Sequence, residues 1–316
     1  RPSRSAATGS RTAGAGAIGT DRRRAGSRLG TALRAAGLLA GAAAVGHAGP
    51  AVLGRGGWRR HAVPGLLGVG APGGVALTFD DGPHPEGTPA VRRALDALGV
   101  RATFFVLGSQ VRRHPGAVAS LLADGHEVAL HGDEHRNHLA RTAPALTADL
   151  RRARAAVLAD AVAADVGQEP DEVARWLRFT RPPYGAVSGG TLWAAHRLGL
   201  RPVLWTAWGR DWLARTPDQV AETVLADLLL DAPGPAGGGG TVLLHDSDCT
   251  SVAGSWRATA AALPRIVGAV RDRGWELRRL AEHLDGADTA GSPSSRPTGS
   301  PSGSPSDGPS DSWGFR

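Results

Sequence analysis

The sequence predicts an α/β fold, a closed or nearly closed barrel of seven parallel strands, one unit short of the eight in a triosephosphate-isomerase barrel. Short apolar runs alternate with helical patterns from about residue 71 to residue 284. Alternation of this length indicates parallel strands joined by helical crossovers. Predicted helices are followed by glycine, which readily ends a helix, at Gly99, Gly125, Gly199 and Gly274. A doubly wound open sheet is the alternative.

The apolar runs have the length of buried strands rather than helices. The predicted strands are Val75–Phe79, Thr103–Val106, Glu127–Leu130, Leu177–Thr180, Pro202–Thr206, Thr241–Leu244 and Trp275–Leu277. The predicted helices are Pro89–Leu98, Pro115–Asp124, Leu146–Ala164, Gly190–Leu198, Asp218–Leu230 and Trp256–Arg273. One domain, residues 71–285, therefore accounts for the ordered part of the chain.

Both ends of the chain have compositions that cannot build a core. Residues 1–28 are rich in Arg, Gly, Ser and Ala, and residues 286–316 in Ser, Pro, Gly and Asp, so both are predicted to be disordered. Leu29–Leu53 is largely apolar, but its uninterrupted part, Ala35–Val45, is shorter than the roughly 20 residues of a membrane-spanning helix. Residues 1–60 are thus expected to be a basic disordered segment with a signal or signal-anchor stretch.

A basic stretch before a short apolar one is typical of a secretory signal. A retained signal anchor and a low-complexity linker are the alternatives. We expect the protein to be exported, and either secreted or anchored to the outer face of the cell membrane.

The net charge of +7 belongs to the N-terminal segment. Residues 1–60 contain 11 of the 36 arginines and one acidic residue, Asp21, which leaves a net charge of −3 for the rest of the chain. A nucleic-acid-binding domain would carry its basic patch on the fold itself, so this distribution argues against that class. The basic segment is instead suited to membrane contact through anionic lipid. The single cysteine, Cys249, excludes an intrachain disulfide and is expected to be a buried residue without a catalytic role.

Polar residues follow the predicted strands, which is where parallel barrels place their catalytic groups. Asp80 and Asp81 end the first strand, and adjacent buried carboxylates need a cation or hydrogen bonds to ionise together. His131 and His135 follow the third strand, and one helical turn would bring them to the same side. With one carboxylate they form the three-ligand, open set of a catalytic zinc site. Taken singly, the two motifs also fit a turn at residues 81–83 and a polar helix start.

Five motifs, in this order, closely resemble those of the polysaccharide deacetylases, the NodB-like carbohydrate esterases. They are TFDDGP at residues 78–83, HxxxH at 131–135, RPPYG at 181–185, DW at 211–212 and LLHD at 243–246. The resemblance covers about residues 73–282 and implies a distorted (β/α)7 barrel, in agreement with the strand count. It also implies a metal-dependent hydrolase that N-deacetylates a cell-wall or extracellular polysaccharide. An O-acetyl esterase and a non-catalytic carbohydrate-binding module are the alternatives.

The resemblance further implies which residues perform the chemistry. Asp81, His131 and His135 would bind Zn²⁺ or another divalent transition metal. Asp80 would be the general base for the attacking water, and His245 would be the general acid for the leaving amine. The expected partner is an N-acetylated polysaccharide or oligosaccharide, bound by a monomer.

Five further residues would support that chemistry, again by resemblance. Arg181 would hold the general base, and Asp211 would orient Arg181. The backbone N–H of Tyr184 would stabilise the oxyanion. Trp212 and Leu243 would line the pocket for the acetyl methyl group.

Two positions depart from the family pattern. Gly132 follows the first metal histidine, where the family often has Ser or Thr, so one hydrogen bond within the loop is lost but no ligand. Trp208 and Gly209 occupy a region where an additional Asp is usual, which bears on the surroundings of the site and on substrate preference. His138, beyond the second metal histidine, is expected at the surface or behind the ligands.

Overall fold

The structure is a computed structural model that describes residues 36–38, 40–52, 63–163, 176–229 and 238–290. Its strands are β1 (Gly74–Asp80), β2 (Thr103–Val106), β3 (Glu127–Leu130), β4 (Phe179–Thr180), β5 (Arg201–Pro202), β6 (Ala207–Trp208), β7 (Gly240–His245) and β8 (Glu276–Arg278). Its helices are 40–52, Pro64–Leu67, Gly87–Ala97, Gly108–Arg113, Ala117–Ala123, Ala143–Ala163, Gly189–Arg197, Pro217–Leu229, Trp256–Asp272 and Leu280–Ala290. Short 3-10 turns cover His138–Ala140 and Pro183–Gly185.

The strands form one parallel sheet that curls back on itself. Their order is β5-β4-β3-β2-β1-β7-β6, and β8 pairs with the beginning of β1. In a flat sheet, six strand spacings of about 4.8 Å would separate the two end strands, β5 and β6, by about 29 Å. Only residues 203–206 join them, and that length of chain reaches at most about 18 Å. The sheet is therefore a nearly closed barrel, as predicted, and not an open doubly wound sheet.

The predicted fifth strand, Pro202–Thr206, is divided in the structure. β5 ends at Pro202, and β6 begins at Ala207. Between them, the backbone N–H of Leu204 donates to Leu66 O at 2.6 Å instead of to a strand. This interruption raises the strand count from the predicted seven to eight.

The packed domain begins before residue 71 and extends past residue 285. Leu67, in the helix Pro64–Leu67, is fully buried against Val187 and Leu204. At the other end, the helix Leu280–Ala290 covers residues 286–290, which the composition assigned to the disordered tail. A four-residue helix shows no periodic pattern, which is why the first of these was missed.

The predicted N-terminal signal stretch is partly described, as the helix at residues 40–52. His47 Nε2 lies 2.9 Å from Leu139 O, so this helix contacts the barrel domain. Among the described helices, none combines the length and the apolar character needed to cross a membrane. Residues 1–28 and 291–316, which the sequence predicts to be disordered, lie outside the described part of the chain.

The strand register brings the predicted catalytic groups to one edge of the barrel. All seven residues of β1 are buried, and its last residue, Asp80, pairs with Phe105 of β2 and His245 of β7. Leu130, the last residue of β3, pairs with Thr180 of β4. Because all these strands are parallel, the residues that follow them meet at the carboxyl edge.

Candidate active site

Arg181, directly after β4, is fully buried despite its positive charge. Its guanidinium donates hydrogen bonds to Asp80 Oδ1 at 2.7 Å and to Thr78 Oγ1 at 2.8 Å. Its other bonds go to the carbonyl oxygens of Val203, at 3.1 Å, and Leu204, at 2.8 Å. A buried charge is tolerated when it is paired and hydrogen-bonded in this way. Burial lowers the pKa of the Arg181 guanidinium, and the attraction of Asp80 opposes that shift.

His245 ends β7 opposite Asp80 and is held by Asp211. The His245 Nδ1 lies 2.8 Å from Asp211 Oδ1, and the His245 backbone N–H donates to Asp211 Oδ2 at 2.7 Å. Thr259 Oγ1 also donates to Asp211 Oδ2, at 2.6 Å. Burial by itself lowers the pKa of His245, but the Asp211 carboxylate, with smaller contributions from Asp81 and Asp80, outweighs it and raises the pKa to about 9. These carboxylates therefore favour the protonated form of His245.

The predicted contact between Asp211 and Arg181 is wrong. Asp211 follows β6, in which Trp208 pairs with Leu243 of β7. The chain beyond Trp208 therefore runs beside the end of β7, and Asp211 bonds to His245 instead.

Asp81, His131 and His135 come together at the same edge, with their ligand atoms within 4.8 Å of one another. The Nε2 atoms of both histidines lie 3.3 Å from Asp81 Oδ1. A tetrahedral ion about 2.0–2.1 Å from its ligands would hold neighbouring ligand atoms about 3.3–3.4 Å apart. Residues 131–135 form a bend rather than the predicted helical turn, and Gly132, with φ of 100°, permits that bend.

The hydrogen bonding and charge of this cluster also fit a cation. His131 Nδ1 lies 2.9 Å from Arg181 O, and a carbonyl oxygen can only accept, so Nδ1 carries the hydrogen. The other ring nitrogen, Nε2, is then the atom that faces the Asp81 carboxylate. Asp81 Oδ1 is buried and has no hydrogen bond to any described residue.

The protonation states of the cluster agree with this arrangement. Burial lowers the pKa of His135 to about 4, and the neighbouring His131 adds to that shift. Burial by itself raises the pKa of Asp81, but His131, His245 and His135 hold it well below its ordinary range. One ionised carboxylate and neutral imidazole are what a divalent metal requires of its ligands.

The residues expected to contact substrate lie around these groups. Tyr184 is exposed, and its ring packs edge-on against His135, with ring centres 4.4 Å apart. Trp212 is 38% exposed and stacks on Trp208, with ring centres 6.2 Å apart. Leu243 is buried in β7, two residues before the general-acid candidate.

Thr250 is a site residue that the sequence analysis missed. Its Oγ1 donates to Asp81 Oδ2 at 2.6 Å, so it orients the carboxylate whose other oxygen faces the two histidines. Its only sequence signal is its place in the loop that follows the LLHD motif.

Two residues without an assigned role are also located. His138, expected at the surface or behind the ligands, is buried and so not at the surface, with Nδ1 3.1 Å from Thr191 Oγ1. Cys249, expected to be buried, is exposed as a residue, although its Sγ lies 3.6 Å from Asp81 O.

Comparisons with known proteins identify the family and agree with the fold. The family model for polysaccharide deacetylases matches residues 69–203. A chitooligosaccharide deacetylase of Sinorhizobium fredii is 35% identical over 230 residues, covering 68% of this chain and 94% of that protein. The peptidoglycan-N-acetylglucosamine deacetylase PgdA of Listeria monocytogenes is 32% identical over 208 residues, which cover 66% of this chain but only 38% of PgdA.

A solved structure shows the same architecture. The crystal structure of the Bc1960 peptidoglycan N-acetylglucosamine deacetylase superposes with a TM-score of 0.58 at 24% identity, over 71% of this chain and 95% of that one. The chain therefore belongs to the polysaccharide deacetylase family, and the predicted distorted (β/α)7 barrel is confirmed.

Asp211→Asn should lower the pKa of His245 well below about 9, because it removes the carboxylate that favours the imidazolium and leaves the burial that opposes it. An NMR titration of the His245 ring measures this directly. Asp248→Asn is the control, since Asp248 lies 3.2 Å from His84 Nε2 and belongs to a different pair. An unchanged His245 pKa in Asp211→Asn would show that the Asp211 carboxylate does not set it.

Proposed function

We propose that this protein is a metal-dependent hydrolase that removes N-acetyl groups from a cell-wall or extracellular polysaccharide or its oligosaccharides. One observation carries the proposal: the Asp81–His131–His135 cluster lies at the same carboxyl edge of the barrel as a carboxylate paired with Arg181 and a histidine paired with Asp211. The names of the relatives support deacetylation of amino sugars as the reaction class.

Asp81, His131 and His135 are the residues that would hold the ion, with Zn²⁺ the best match to two imidazoles and one carboxylate. Such an ion supplies an acidified water and polarises the substrate carbonyl. Two of the three ligands are oriented by a hydrogen-bond partner already in place: Asp81 by Thr250, and His131 by the Arg181 carbonyl oxygen.

Asp80 would accept the proton from the attacking water. It is the last residue of β1, Asp81 follows it directly, and Arg181 fixes its Oδ1. Its second oxygen, Oδ2, lies 3.7 Å from Nδ1 of His131, one of the proposed ligands. The proposed base is thus adjacent in sequence to one proposed ligand and close in space to another.

His245 would donate a proton to the departing nitrogen. An amine leaves poorly without protonation, so an amide requires an acid that remains charged at neutral pH. The pKa of about 9 meets that requirement. The same acid would also serve an ester, so the choice of N-deacetylation over the alternative O-acetyl esterase rests on the names of the relatives.

The backbone N–H of Tyr184 would stabilise the oxyanion, and Trp212 and Leu243 would line the pocket for the acetyl methyl group.

The N-deacetylation and O-deacetylation activities can be compared by measuring acetate release from N-acetylglucosamine oligomers and from an O-acetylated glycan. Greater release from the N-acetylated substrate supports the proposal. No release from either substrate by zinc-loaded protein would favour the non-catalytic carbohydrate-binding module.

Loaded wild-type protein should hold one zinc ion per chain, and His131→Ala should lose most of it, because two ligands cannot complete the site. Elemental analysis after desalting measures the stoichiometry. His196→Ala is the matched control, since His196 is exposed and lies outside the site. Full zinc stoichiometry in His131→Ala would overturn the ligand assignment.

His245→Ala and Asp80→Asn should have different effects on two substrates. Loss of the acid should slow hydrolysis of an N-acetyl sugar by about 10²–10⁴-fold, and that of an activated acetate ester much less, because its leaving group needs no proton. Loss of the base should slow both reactions, since both need the water deprotonated. Steady-state rates on the two substrates make the comparison. Equal losses on both substrates in His245→Ala would contradict its role as leaving-group acid.

We also propose that the exported protein is held at the outer membrane face by its N-terminal segment. Three apolar side chains of the residues around the helix at 40–52 are exposed, namely Leu38, Val45 and Val52. The arginine-rich residues before them are suited to anionic lipid.

In a flotation assay, the full chain should float with phosphatidylglycerol vesicles. The double variant Val45→Asp/Val52→Asp should not float with them, whereas the control variant Leu192→Asp should float like the wild-type protein. Equal flotation of the double variant would contradict the proposal.

A further inference from the structure

The two histidines of the metal cluster are held in different ways. His131 is fixed through its ring, by the Arg181 carbonyl, and through its backbone N–H, which donates to Val106 O at 2.9 Å. The Nδ1 of His135 is buried and has no hydrogen-bond partner among the described residues. Metal-binding histidines are normally oriented by such a bond. The position of His135 therefore depends on the backbone of residues 132–135.

That backbone is fixed at three points near its beginning. Gly132 O accepts a hydrogen bond from Gly108 N–H at 3.0 Å, and Asp133 O accepts one from Ser109 N–H at 2.9 Å. The third point is a side chain, because the Asp133 N–H donates to Asp149 Oδ2 at 2.8 Å. Asp149 is the only side chain among the described residues that receives a hydrogen bond from the backbone N–H groups of 132–135.

Asp149 is itself locked in place. It lies on the helix Ala143–Ala163 and is buried. Its Oδ1 accepts from Arg141 at 2.7 Å and from Arg152 at 3.2 Å. Arg152 also donates to Asp133 Oδ2 at 3.1 Å, so one guanidinium joins the helix to the loop.

Gly132 leaves room for this arrangement. A Cβ atom at residue 132 would lie 3.1 Å from Asp149 Oδ2, and the φ of 100° would strain any larger residue. A side chain at residue 132 would therefore compete with Asp149 for the same space. With glycine at residue 132, the Asp149 carboxylate, from the helix Ala143–Ala163, occupies the space beside residues 132–135.

We propose that Asp149 is a positioning residue for the metal ligand His135, acting through the Asp133 N–H and the bend at Gly132. The inference rests on the proposed metal site. It predicts that the Asp149 carboxylate, which touches neither metal nor substrate, contributes to metal affinity.

Asp149→Asn should weaken zinc binding by about 10–100-fold, the range usual for loss of a group that orients a metal ligand. Aspartate accepts hydrogen bonds at both oxygens here. Asparagine keeps one acceptor, and its NH₂ group would then face either the Asp133 N–H or the two guanidiniums. Competition with a chromophoric zinc chelator measures the affinity independently of activity.

Asp160→Asn is a matched control on the same helix. Asp160 is buried, as Asp149 is. Both of its carboxylate oxygens accept hydrogen bonds from backbone N–H groups, those of Gly116, Val118 and Ala119. It lies 11 residues further along the chain, which is about 16 Å along the helix axis. Asp160→Asn should reduce the melting temperature of the metal-free protein without changing zinc affinity.

The outcomes separate the inference from the proposed function. Weak zinc binding in Asp149→Asn with normal binding in Asp160→Asn supports the positioning role. Wild-type affinity in Asp149→Asn, or equal weakening in both variants, overturns it. Failure of the wild-type protein to bind zinc would overturn the proposed function itself.

If Asp149→Asn does not fold, Arg152→Gln provides the test, because Arg152 is half exposed and contacts the carboxylates of both Asp133 and Asp149. Zinc binding by Arg152→Gln that is weakened, though less than expected for Asp149→Asn, supports the inference. Zinc affinity equal to that of the wild-type protein overturns it.

Discussion

The buried guanidinium of Arg181 is the constraint on which the site depends. A charge removed from water must be matched by hydrogen bonds, and the Arg181 guanidinium finds them on two separate parts of the barrel, β1 and residues 203–204. On β1 it fixes Asp80, the proposed base. At residues 203–204 it bonds to two carbonyl oxygens, in the segment between β5 and β6. Its own carbonyl oxygen orients His131. One residue, through its side chain and its backbone carbonyl, thus links barrel closure, the proposed base and a proposed metal ligand.

The adjacent carboxylates at the end of β1 have separate roles because the backbone turns between them. Asp81 has a φ of 76°, an unusual value for a residue with a side chain. Such a conformation costs on the order of 1–3 kcal/mol and persists where surrounding structure enforces it. Here Asp80 faces Arg181, and Asp81 faces the two histidines, with its second oxygen held by Thr250. The two adjacent carboxylates therefore face different neighbours, the arginine in the case of Asp80 and the metal-binding histidines in the case of Asp81.

The sequence was sufficient to predict which residues meet at the carboxyl edge, because parallel strands and their order determine that. The partner of Asp211 was not predictable from spacing. It depends on the pairing of β6 with β7, and β6 has only two residues, too few to show a pattern. The division of the predicted strand Pro202–Thr206 had a similar cause, since the carbonyls at 203 and 204 serve a distant arginine. Asp149 was also hidden, because a buried aspartate in a helix looks like any polar helix residue in the sequence.

The most direct test of this account is a zinc titration of metal-free protein with acetate release from an N-acetylglucosamine oligomer followed at each addition. The account predicts that activity rises linearly with zinc and reaches a plateau at one ion per chain. Full activity in the rigorously metal-free protein, or a zinc-saturated protein that releases no acetate while folded, would contradict the proposal that the Asp81–His131–His135 cluster is the catalytic metal site.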